Sequence, residues 1–520
     1  MSRQLYVDGV RATRARTGDY PGGFWPYYGY NPNSPANSDA AGILYIPLQN
    51  MDGSLAAGWP DPNTWQNVED IEAVALPQWK MQRVPLKGII PFPDYHNTHI
   101  SVQDALQFYE HEFILDDLGA KLDYDLSRTG LIQLEDTAWR NANLYLNPEK
   151  TATNLWSFFR VAFFENAYAF LDEPGEWYLD QKADTLYYIP LDGQDMRRVQ
   201  VEMPQLEQLL TVQGRQDAPV KNIRFQNLNF AYATWLEPSG EQGYISDQSG
   251  NRVTGTSGDY NTIGHVQSVV ETPGNIELEY VDGVVFQGNI FEHLGAVALH
   301  FGTGTQNALI EDNLFEDISA SAIWLGGVQQ DDYAPDAVQL TANNTIRNNL
   351  IRHIGQEYYD VAGIYVGFSR NTHIDHNTIM YTPWSAIAMG WGWGLLDPGI
   401  NLGLATATPN MWGVHTEFTP NRHNKVTHNR TYATLQQLWD GGGIYTTGYQ
   451  GTSMDDALLI EGNVFSDKNP ERGGNTVYSD GMSRFIKVRN NVMYNNPQAK
   501  AFFGTDIGEN DPFYTQYAIY

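Results

Sequence analysis

The 520 residues include no cysteine, so neither disulfide bonds nor thiolate metal sites can form. Positive charge is scarce as well, because 31 Lys and Arg stand against 61 Asp and Glu, giving a formal net charge of −30. Such a surface repels nucleic acid and anionic membranes and favours a neutral substrate. No apolar run approaches the roughly 18 residues that span a bilayer. We therefore expect neither a nucleic-acid nor a membrane partner.

The N-terminus, Met1 to Val7, lacks the features of a signal peptide and resembles a strand entered in mid-fold. We expect that a leader or an upstream segment is missing from this sequence. An extracellular or periplasmic location is inferred from the acidic composition and not from a signal.

Aromatic residues and glycine are abundant, with 31 Tyr, 14 Trp and 48 Gly, and short alternating apolar runs recur. This combination predicts an all-β architecture. We predict an irregular β-rich N-terminal region or accessory domain over residues 1–200, with a short helix between Leu155 and Tyr168. Residues 201–520 are predicted to form a second domain, built from a repeat.

The repeat unit is an apolar residue, two or three polar residues, then Asn and one or two apolar residues. Its asparagines are Asn289, Asn313, Asn349, Asn377, Asn429, Asn463 and Asn491, with spacings of 24, 36, 28, 52, 34 and 28 residues. These spacings fit coils with a period in the twenties and insertions in some coils. We therefore predict a right-handed parallel β-helix, with each asparagine in a left-handed turn and bonded to its neighbours in the stack.

Two coils repeat nearly the same sequence around an aspartate. Asp360 and Asp440 each lie 11 residues after a repeat asparagine and four residues before an Ile-Tyr pair. Coils stack roughly 4.8 Å apart, so these two backbones are expected about 10 Å apart. Leaning side chains would bring the carboxyl groups to about 6–9 Å, as in an inverting glycosidase, or to about 5 Å, as in a retaining one. The alternative is that each aspartate only accepts backbone N–H bonds at a turn.

In the first interpretation one aspartate is a general acid with a raised pKa, and the other is a base or nucleophile. Glu417 is a third candidate catalytic carboxylate, with a surface-loop glutamate as its alternative. Trp391 and Trp393 are predicted to bind substrate, because indole faces suit the apolar faces of a pyranose; packing of an insertion is their alternative. The other candidate substrate-binding residues are Tyr365, Tyr445, Trp324, Glu357, His300 and Trp384.

No metal site and no cofactor are predicted. Asp331, Asp332 and Asp336 could bind calcium, but a solvated acidic loop is the simpler interpretation. His376 and His428 precede repeat asparagines and are predicted to be outward-facing structural residues.

The repeat, together with the segments 360–367, 384–394 and 440–446, resembles the right-handed parallel β-helix glycoside hydrolases. Family 141 is the nearest in character, with family 120 as a relative in fold, and Asp172 to Pro190 is similar to the stretch that introduces the helix in such proteins. The resemblance implies a cofactor-free glycoside hydrolase acting on fucosyl, xylosyl or galactosyl linkages of poly- or oligosaccharides. It also implies that Asp360 and Asp440 are the catalytic pair.

Two other classes stay open. A polysaccharide lyase shares the fold but needs a Lys, Arg or His base and an anionic polymer, which the net charge disfavours. A non-catalytic glycan-binding adhesin would keep the repeat but has no reason to place an aspartate twice at one position. The identity of the acid, the anomeric outcome, the sugar, the linkage and the oligomeric state stay open as well.

Overall fold

The computed structural model describes residues 2–18, 42–45, 48–50, 61–91, 120–122, 130–143, 158, 161–254, 269–394, 396–398, 416–497, 502–504 and 517–519. The α-helices among these residues are Asp136–Ala142 and Gln330–Tyr333, and the 3-10 helices are Pro62–Thr64, Val68–Asp70, Tyr168–Phe170 and Glu237–Ser239. None of these helices is long and apolar enough to cross a membrane. The remaining regular structure is β-strand, as the composition predicted.

Three parallel sheets run along the repeat and wind into a parallel β-helix, which confirms the predicted fold class. Sheet 1 contains Leu210–Gln213, Gly274–Glu279, Val297–Phe301, Ile323–Leu325, Ile364–Val366, Ile387–Met389, Gly441–Thr446, Gly474–Ser479 and Phe502–Gly504. Sheet 2 contains Arg224–Gln226, Val285–Gln287, Leu309–Glu311, Thr345–Arg347, His373–Asp375, Lys425–Thr427, Leu458–Glu461, Ile486–Arg489 and Tyr517–Ile519. Sheet 3 contains Asn229–Ala231, Ile290–Leu294, Leu314–Ile318, Leu350–Ile354, Thr378–Met380, Arg430–Tyr432, Val464–Ser466 and Val492–Tyr494. A short parallel pair, Val220–Lys221 with Val281–Asp282, completes the first coils.

Stacked aliphatic side chains fill the interior of the helix. In sheet 1 the register aligns Ile323, Ile364, Ile387, Ile444 and Val477 in one column, and none of them has exposed surface. Successive residues of a strand point to opposite sides. The residue after each of these therefore lies on the outer side of sheet 1, where a site can be built.

The predicted asparagine ladder is present. Asn377 Oδ1, for example, accepts hydrogen bonds from the Asn349 amide (3.0 Å) and Asn349 Nδ2 (2.9 Å), and Asn377 Nδ2 donates to Asn429 Oδ1 (3.0 Å). The prediction that the asparagine itself is left-handed is wrong. The residue before it takes the positive φ, as at His376 (53°) and His428 (55°), which turns the asparagine inward towards its neighbours.

The N-terminal region is built from antiparallel and mixed sheets. One sheet contains Val161–Glu165, Glu72–Ala75, Gln82–Pro91, Tyr244–Gln248, Asn251–Val253 and Val269–Glu271, extended by Gly42–Tyr45 and Gly130–Leu134. Smaller sheets pair Tyr6–Val7 with Val10–Arg11 and Val201–Glu202, Glu176–Asp180 with Thr13–Arg14 and Thr185–Tyr188, and Leu48–Asn50 with Ala120–Leu122. The helix predicted between Leu155 and Tyr168 is wrong where the structure describes this segment, because Val161–Glu165 is a buried strand.

The strands Tyr244–Gln248 and Asn251–Val253 follow the first coil in sequence but join the N-terminal sheet. We call these two strands the covering hairpin, because they lie against the outer side of sheet 1. A Cβ at Gly250, between the two strands, would lie 3.1 Å from Trp324 Cζ3, for example. The position of this hairpin therefore determines which part of the outer side of sheet 1 it covers.

Candidate functional site

Asp360 lies in the interior, four residues before Ile364–Val366, with no exposed surface. Its Oδ1 accepts a hydrogen bond from the Tyr244 hydroxyl (2.8 Å), and its Oδ2 accepts bonds from the Ser246 hydroxyl (2.7 Å) and the Gly250 amide (2.9 Å). Burial raises the pKa of the carboxyl, although these three bonds oppose the change. The expectation of an open carboxylate facing Asp440 is therefore wrong for Asp360, which joins the covering hairpin to the helix.

Asp440 is partly exposed and immediately precedes Gly441–Thr446. Its φ of 56° is a left-handed conformation that aspartate tolerates. Glycine is required next, because a Cβ at Gly441 would lie 2.4 Å from Trp384 Nε1. Burial and the negative charge of Asp480 raise the pKa of Asp440 to about 6, against the lowering effect of a hydrogen bond from Tyr478. Asp440 can thus hold a proton in weakly acidic solution while part of its surface reaches the solvent.

Two tyrosines hold Asp440 and Asp480. Tyr445 and Tyr478 are paired in register on adjacent coils, and their rings meet edge to face with centroids 5.3 Å apart. The Tyr478 hydroxyl donates to Asp440 Oδ1 (3.1 Å), and the Tyr445 hydroxyl donates to Asp480 Oδ2. Tyr478 and Asp480 are two residues apart, so their side chains project from the same side of the sheet. The two carboxyl groups therefore lie on one face, each held by its own tyrosine.

Partly exposed tryptophans border this pair. Trp439 directly precedes Asp440, and the Arg472 guanidinium lies 4.1 Å from the centroid of its ring. Trp393 packs against the residue that follows Asp480, since a Cβ at Gly481 would lie 3.0 Å from Trp393 Cδ1. Two indoles beside a carboxyl pair form a surface suited to a sugar ring.

Most of the predicted substrate-binding aromatic residues are buried. Trp324, Tyr365 and Trp384 have no exposed surface, and Trp391 and Tyr445 have 1% each. Trp324 and Tyr365 pack against each other at a tilt of 52° beneath the covering hairpin, with ring centroids 4.2 Å apart. These five side chains therefore have almost no surface for a substrate to contact in this conformation, and their role in substrate binding stays a prediction. Trp393, by contrast, is a predicted substrate-binding aromatic residue that is partly exposed.

Glu357 and His300 lie away from Asp440, in buried ionic clusters. Glu357 accepts hydrogen bonds from Gln4 (2.6 Å) and Arg11 (3.0 Å), which tie the N-terminal strands to the helix. Burial alone would lower the pKa of His300, but hydrogen bonds to Glu271 and Glu277 raise it to about 9. Both side chains are engaged in these contacts, and their role in substrate binding stays a prediction.

Glu417 is exposed, and no contact within the described part of the chain joins it to Asp440. Most of the insertion that carries it, residues 399–415, lies outside the described residues. Its catalytic role stays a prediction. Of the acidic residues considered for calcium, Asp332 is buried and accepts hydrogen bonds from Thr303 and the Gln329 amide, so it caps the helix Gln330–Tyr333.

Asp480, Tyr478 and Trp439 are site residues that the sequence reasoning missed. The segment Thr476-Val477-Tyr478-Ser479-Asp480 aligns with Gly443-Ile444-Tyr445-Thr446-Thr447 of the preceding coil. Extending the coil alignment by one more turn would have shown an aspartate two residues after a matched tyrosine.

Comparison with known proteins supports this architecture. Residues 212–392 match the family described as "Right handed beta helix region", and residues 150–191 match the "GH141 insertion domain". No curated protein matches the chain. These matches confirm the right-handed parallel β-helix and the resemblance to family 141, whose predicted stretch Asp172 to Pro190 lies inside the second match.

Among solved structures, one described as "Glycoside hydrolase" is similar with a TM-score of 0.67 at 20% identity, covering 96% of this chain and 77% of that one. A complex of XylC with xylose has a TM-score of 0.34 at 12% identity, covering 61% of this chain and 46% of that one. PfbA, a surface adhesin of Streptococcus pneumoniae, has a TM-score of 0.23 at 12% identity, covering 55% and 73%. The first similarity supports the fold, and together with the insertion-domain match it supports a glycosidase. The other two are too low to carry an argument.

Proposed function

We propose that this protein is a glycoside hydrolase in which Asp440 donates a proton and Asp480 acts as the ionised partner. The observation that carries the proposal is the carboxyl pair itself. Two partly exposed aspartates lie on adjacent coils, and the charge of one helps to raise the pKa of the other to about 6. Glycosidic bond cleavage requires one carboxyl group that donates a proton and a second that serves as base or nucleophile.

In the proposed reaction the Asp440 carboxyl gives its proton to the glycosidic oxygen as the bond from that oxygen to the anomeric carbon breaks. Asp480 either attacks the anomeric carbon or removes a proton from a water that attacks it. The first course forms a glycosyl ester that water then hydrolyses, and the second inverts the anomeric centre directly. The hydrogen bond from Tyr445 orients Asp480, and the bond from Tyr478 orients Asp440.

We propose a neutral glycan as the substrate, with a fucosyl, xylosyl or galactosyl unit at the bond that is cleaved. Trp393 and Trp439 offer indole faces beside the carboxyl pair, and a protein with a net charge of −30 disfavours a uronate polymer. Polysaccharide degradation and an extracellular or periplasmic location are part of the same proposal. So is the division into an N-terminal region, residues 1–200, and a catalytic domain, residues 201–520.

The test is hydrolysis of a glycoside panel containing fucose, xylose, galactose and arabinose, both as nitrophenyl glycosides and as oligosaccharides. Asp480→Asn is expected to lose turnover on every substrate by about 10³-fold or more. Asp440→Asn is expected to lose about 10²- to 10⁴-fold on oligosaccharides and far less on nitrophenyl glycosides, whose leaving group needs little protonation. Circular dichroism and thermal unfolding confirm that each variant is folded.

Two matched variants complete the panel. Asp360→Asn tests the buried aspartate, and Glu417→Gln tests the exposed glutamate; both are expected to keep turnover within about tenfold of the wild type if folded. Turnover that survives Asp480→Asn would remove Asp480 from the mechanism. Loss in a folded Asp360→Asn variant would restore the pair predicted from the sequence. Glycan binding without turnover on any sugar would favour an adhesin.

A further inference from the structure

Three histidines and one aspartate gather on the outer side of sheet 2, on two adjacent coils. His373 and Asp375 are two residues apart in one strand, so their side chains project outward together. His376 follows at the turn. Because Asp375 pairs in register with Thr427, His428 occupies the same turn position on the next coil. The two turn histidines stack with ring centroids 4.8 Å apart, which is the spacing of the coils.

Nitrogen atoms of all three imidazoles lie near the same carboxylate. His376 Nδ1 is 2.7 Å from Asp375 Oδ2, His428 Nδ1 is 3.0 Å from Asp375 Oδ1, and His373 Nε2 is 3.6 Å from the same Oδ1. In a tetrahedral site with metal–ligand bonds of about 2.0–2.1 Å, neighbouring ligand atoms are about 3.3 Å apart. The three nitrogen–oxygen separations of 2.7, 3.0 and 3.6 Å lie on both sides of that ligand spacing. The ligand atoms of Asp375, His376 and His428 all lie within 4.8 Å of one another, so small side-chain movements would place an ion among them.

Thr427 fixes the orientation of the group from beneath. Its hydroxyl donates to Asp375 Oδ1 (2.5 Å) and lies 2.7 Å from His373 Nε2. Hydrogen bonds of this kind orient metal ligands in known sites. The His376 and His428 side chains are 61% and 54% exposed, whereas Asp375 is 18% exposed. An ion thus has an open approach and a partly shielded carboxylate at its base.

We propose that Asp375, His376 and His428 bind one divalent transition-metal ion such as Zn²⁺, with solvent as the fourth ligand. Imidazole with a single carboxylate suits zinc, nickel, copper and cobalt, whereas calcium and magnesium require more oxygen ligands. The net charge of −30 favours accumulation of cations at the surface. The site lies on sheet 2, whereas Asp440 belongs to sheet 1, so the proposal does not depend on the proposed glycosidase activity.

The ion would act as a clamp between coils. His376 and His428 are separated by 52 residues of chain, the longest connection in the asparagine ladder, and this connection carries the insertion after Trp393. Because the ligands come together only when both coils are wound, the ion would bind the folded chain and stabilise it. Linking two residues far apart in sequence also lowers the conformational entropy of the unfolded chain more than linking two that are close.

The test uses tag-free protein that has been stripped with a chelator and dialysed. Titration calorimetry with Zn²⁺ is expected to show one site per chain, and Co²⁺ is expected to give the visible absorption of a tetrahedral nitrogen and oxygen site. At a Zn²⁺ concentration about 100 times the Kd, the Tm is expected to rise by about 2–5 °C and to return when chelator is added.

The double variant His376→Ala/His428→Ala is expected to weaken Zn²⁺ binding at least 100-fold and to abolish the rise in Tm. The matched control is His353→Ala, which removes another exposed histidine of positive φ, in the sheet 3 strand Leu350–Ile354 outside the cluster, and is expected to bind as the wild type does. A second variant, Asp375→Asn, keeps the shape and is expected to lose the Co²⁺ spectrum. Absence of binding by the wild type, or equal binding by the double variant, would overturn the proposal.

Discussion

The pKa of Asp440 makes a quantitative prediction about activity. If Asp440 donates the proton, kcat/KM falls as pH rises through about 6, the value to which burial and Asp480 raise its pKa. The protonated fraction is about 50% at pH 6, about 10% at pH 7 and about 1% at pH 8. With the ordinary value of 3.8, less than about 1% would be protonated at pH 6. The predicted rate therefore falls tenfold per pH unit above pH 6.

The assay is the pH dependence of kcat/KM between pH 4 and pH 9 on an oligosaccharide cleaved in the panel. A nitrophenyl glycoside of the same sugar serves as an internal comparison, because its leaving group departs without full protonation. The fall above pH 6 is expected to be steeper for the oligosaccharide. A rate that stays level to pH 8, or one that already falls near pH 4, would refute Asp440 as the acid.

Tyr478→Phe gives a second perturbation with a definite sign. The Tyr478 hydroxyl donates to Asp440 Oδ1 and so favours the ionised form, which lowers the pKa. Without this hydrogen bond, the fall of kcat/KM with rising pH is expected to move to higher pH by about 0.5–1 unit. Tyr494→Phe, at an exposed tyrosine, is the matched control and should leave the pH at which kcat/KM falls unchanged. A shift to lower pH in Tyr478→Phe would contradict the assignment.

Stability provides a readout that needs no substrate. A carboxyl whose pKa is raised on folding stabilises the native state below its unfolded pKa, and this contribution is lost as pH rises through the folded pKa. One pKa unit corresponds to about 1.4 kcal/mol, so the wild type should lose up to about 3 kcal/mol relative to Asp440→Asn between pH 4 and pH 7. Partial exposure of Asp440 makes this an upper limit.

Two further predictions concern the fold. Asn377→Ala is expected to lower the free energy of unfolding in urea by about 3–6 kcal/mol, because buried donors of Asn349 and the acceptor of Asn429 lose their partner. The control Asn348→Ala, at an exposed asparagine, should lower it by about 1 kcal/mol. Equal losses in the two variants would contradict the ladder as a source of stability. Glu72→Gln is expected to lower the free energy of unfolding by about 3–5 kcal/mol, because it weakens a buried ionic cluster with Arg3, Arg14 and Arg83. Asp136→Asn, in a more exposed pair with Lys87, should lower it by less than about 1 kcal/mol. Similar losses in both variants would show that burial of the cluster does not matter.

The asparagine repeat predicted the fold because each asparagine makes the same contacts with the coil before it and the coil after it. A pattern with one period along the chain therefore reports one structure, and the seven asparagines were enough to identify it. The left-handed residue was placed one position too late, at Asn377 where the structure has it at His376. Both assignments satisfy the same spacing, so the period alone does not distinguish them.

The candidate site was only partly predictable, because its residues take their character from distant segments. Asp360 and Asp440 precede nearly identical strands, yet Tyr244, Ser246 and Gly250 cover the first and a partner carboxylate, Asp480, faces the second. Nothing within the repeat indicates where the covering hairpin lies. Trp324 and Tyr365 likewise point outward as alternation predicts, but the same hairpin buries them.

The outer face of sheet 1 therefore changes character along the helix axis while its sequence pattern stays constant. Under the covering hairpin an aspartate with three hydrogen-bond donors and no exposed surface can serve only as a structural acceptor. Two coils further on, the matching aspartate has one donor, a neighbouring carboxylate and access to solvent, so its proton can be exchanged. Because proton transfer needs both a raised pKa and contact with substrate, only the second environment meets both conditions. In the proposed mechanism, the edge of the hairpin, rather than the repeated motif, thus determines where on this face a glycosidic bond would be cleaved.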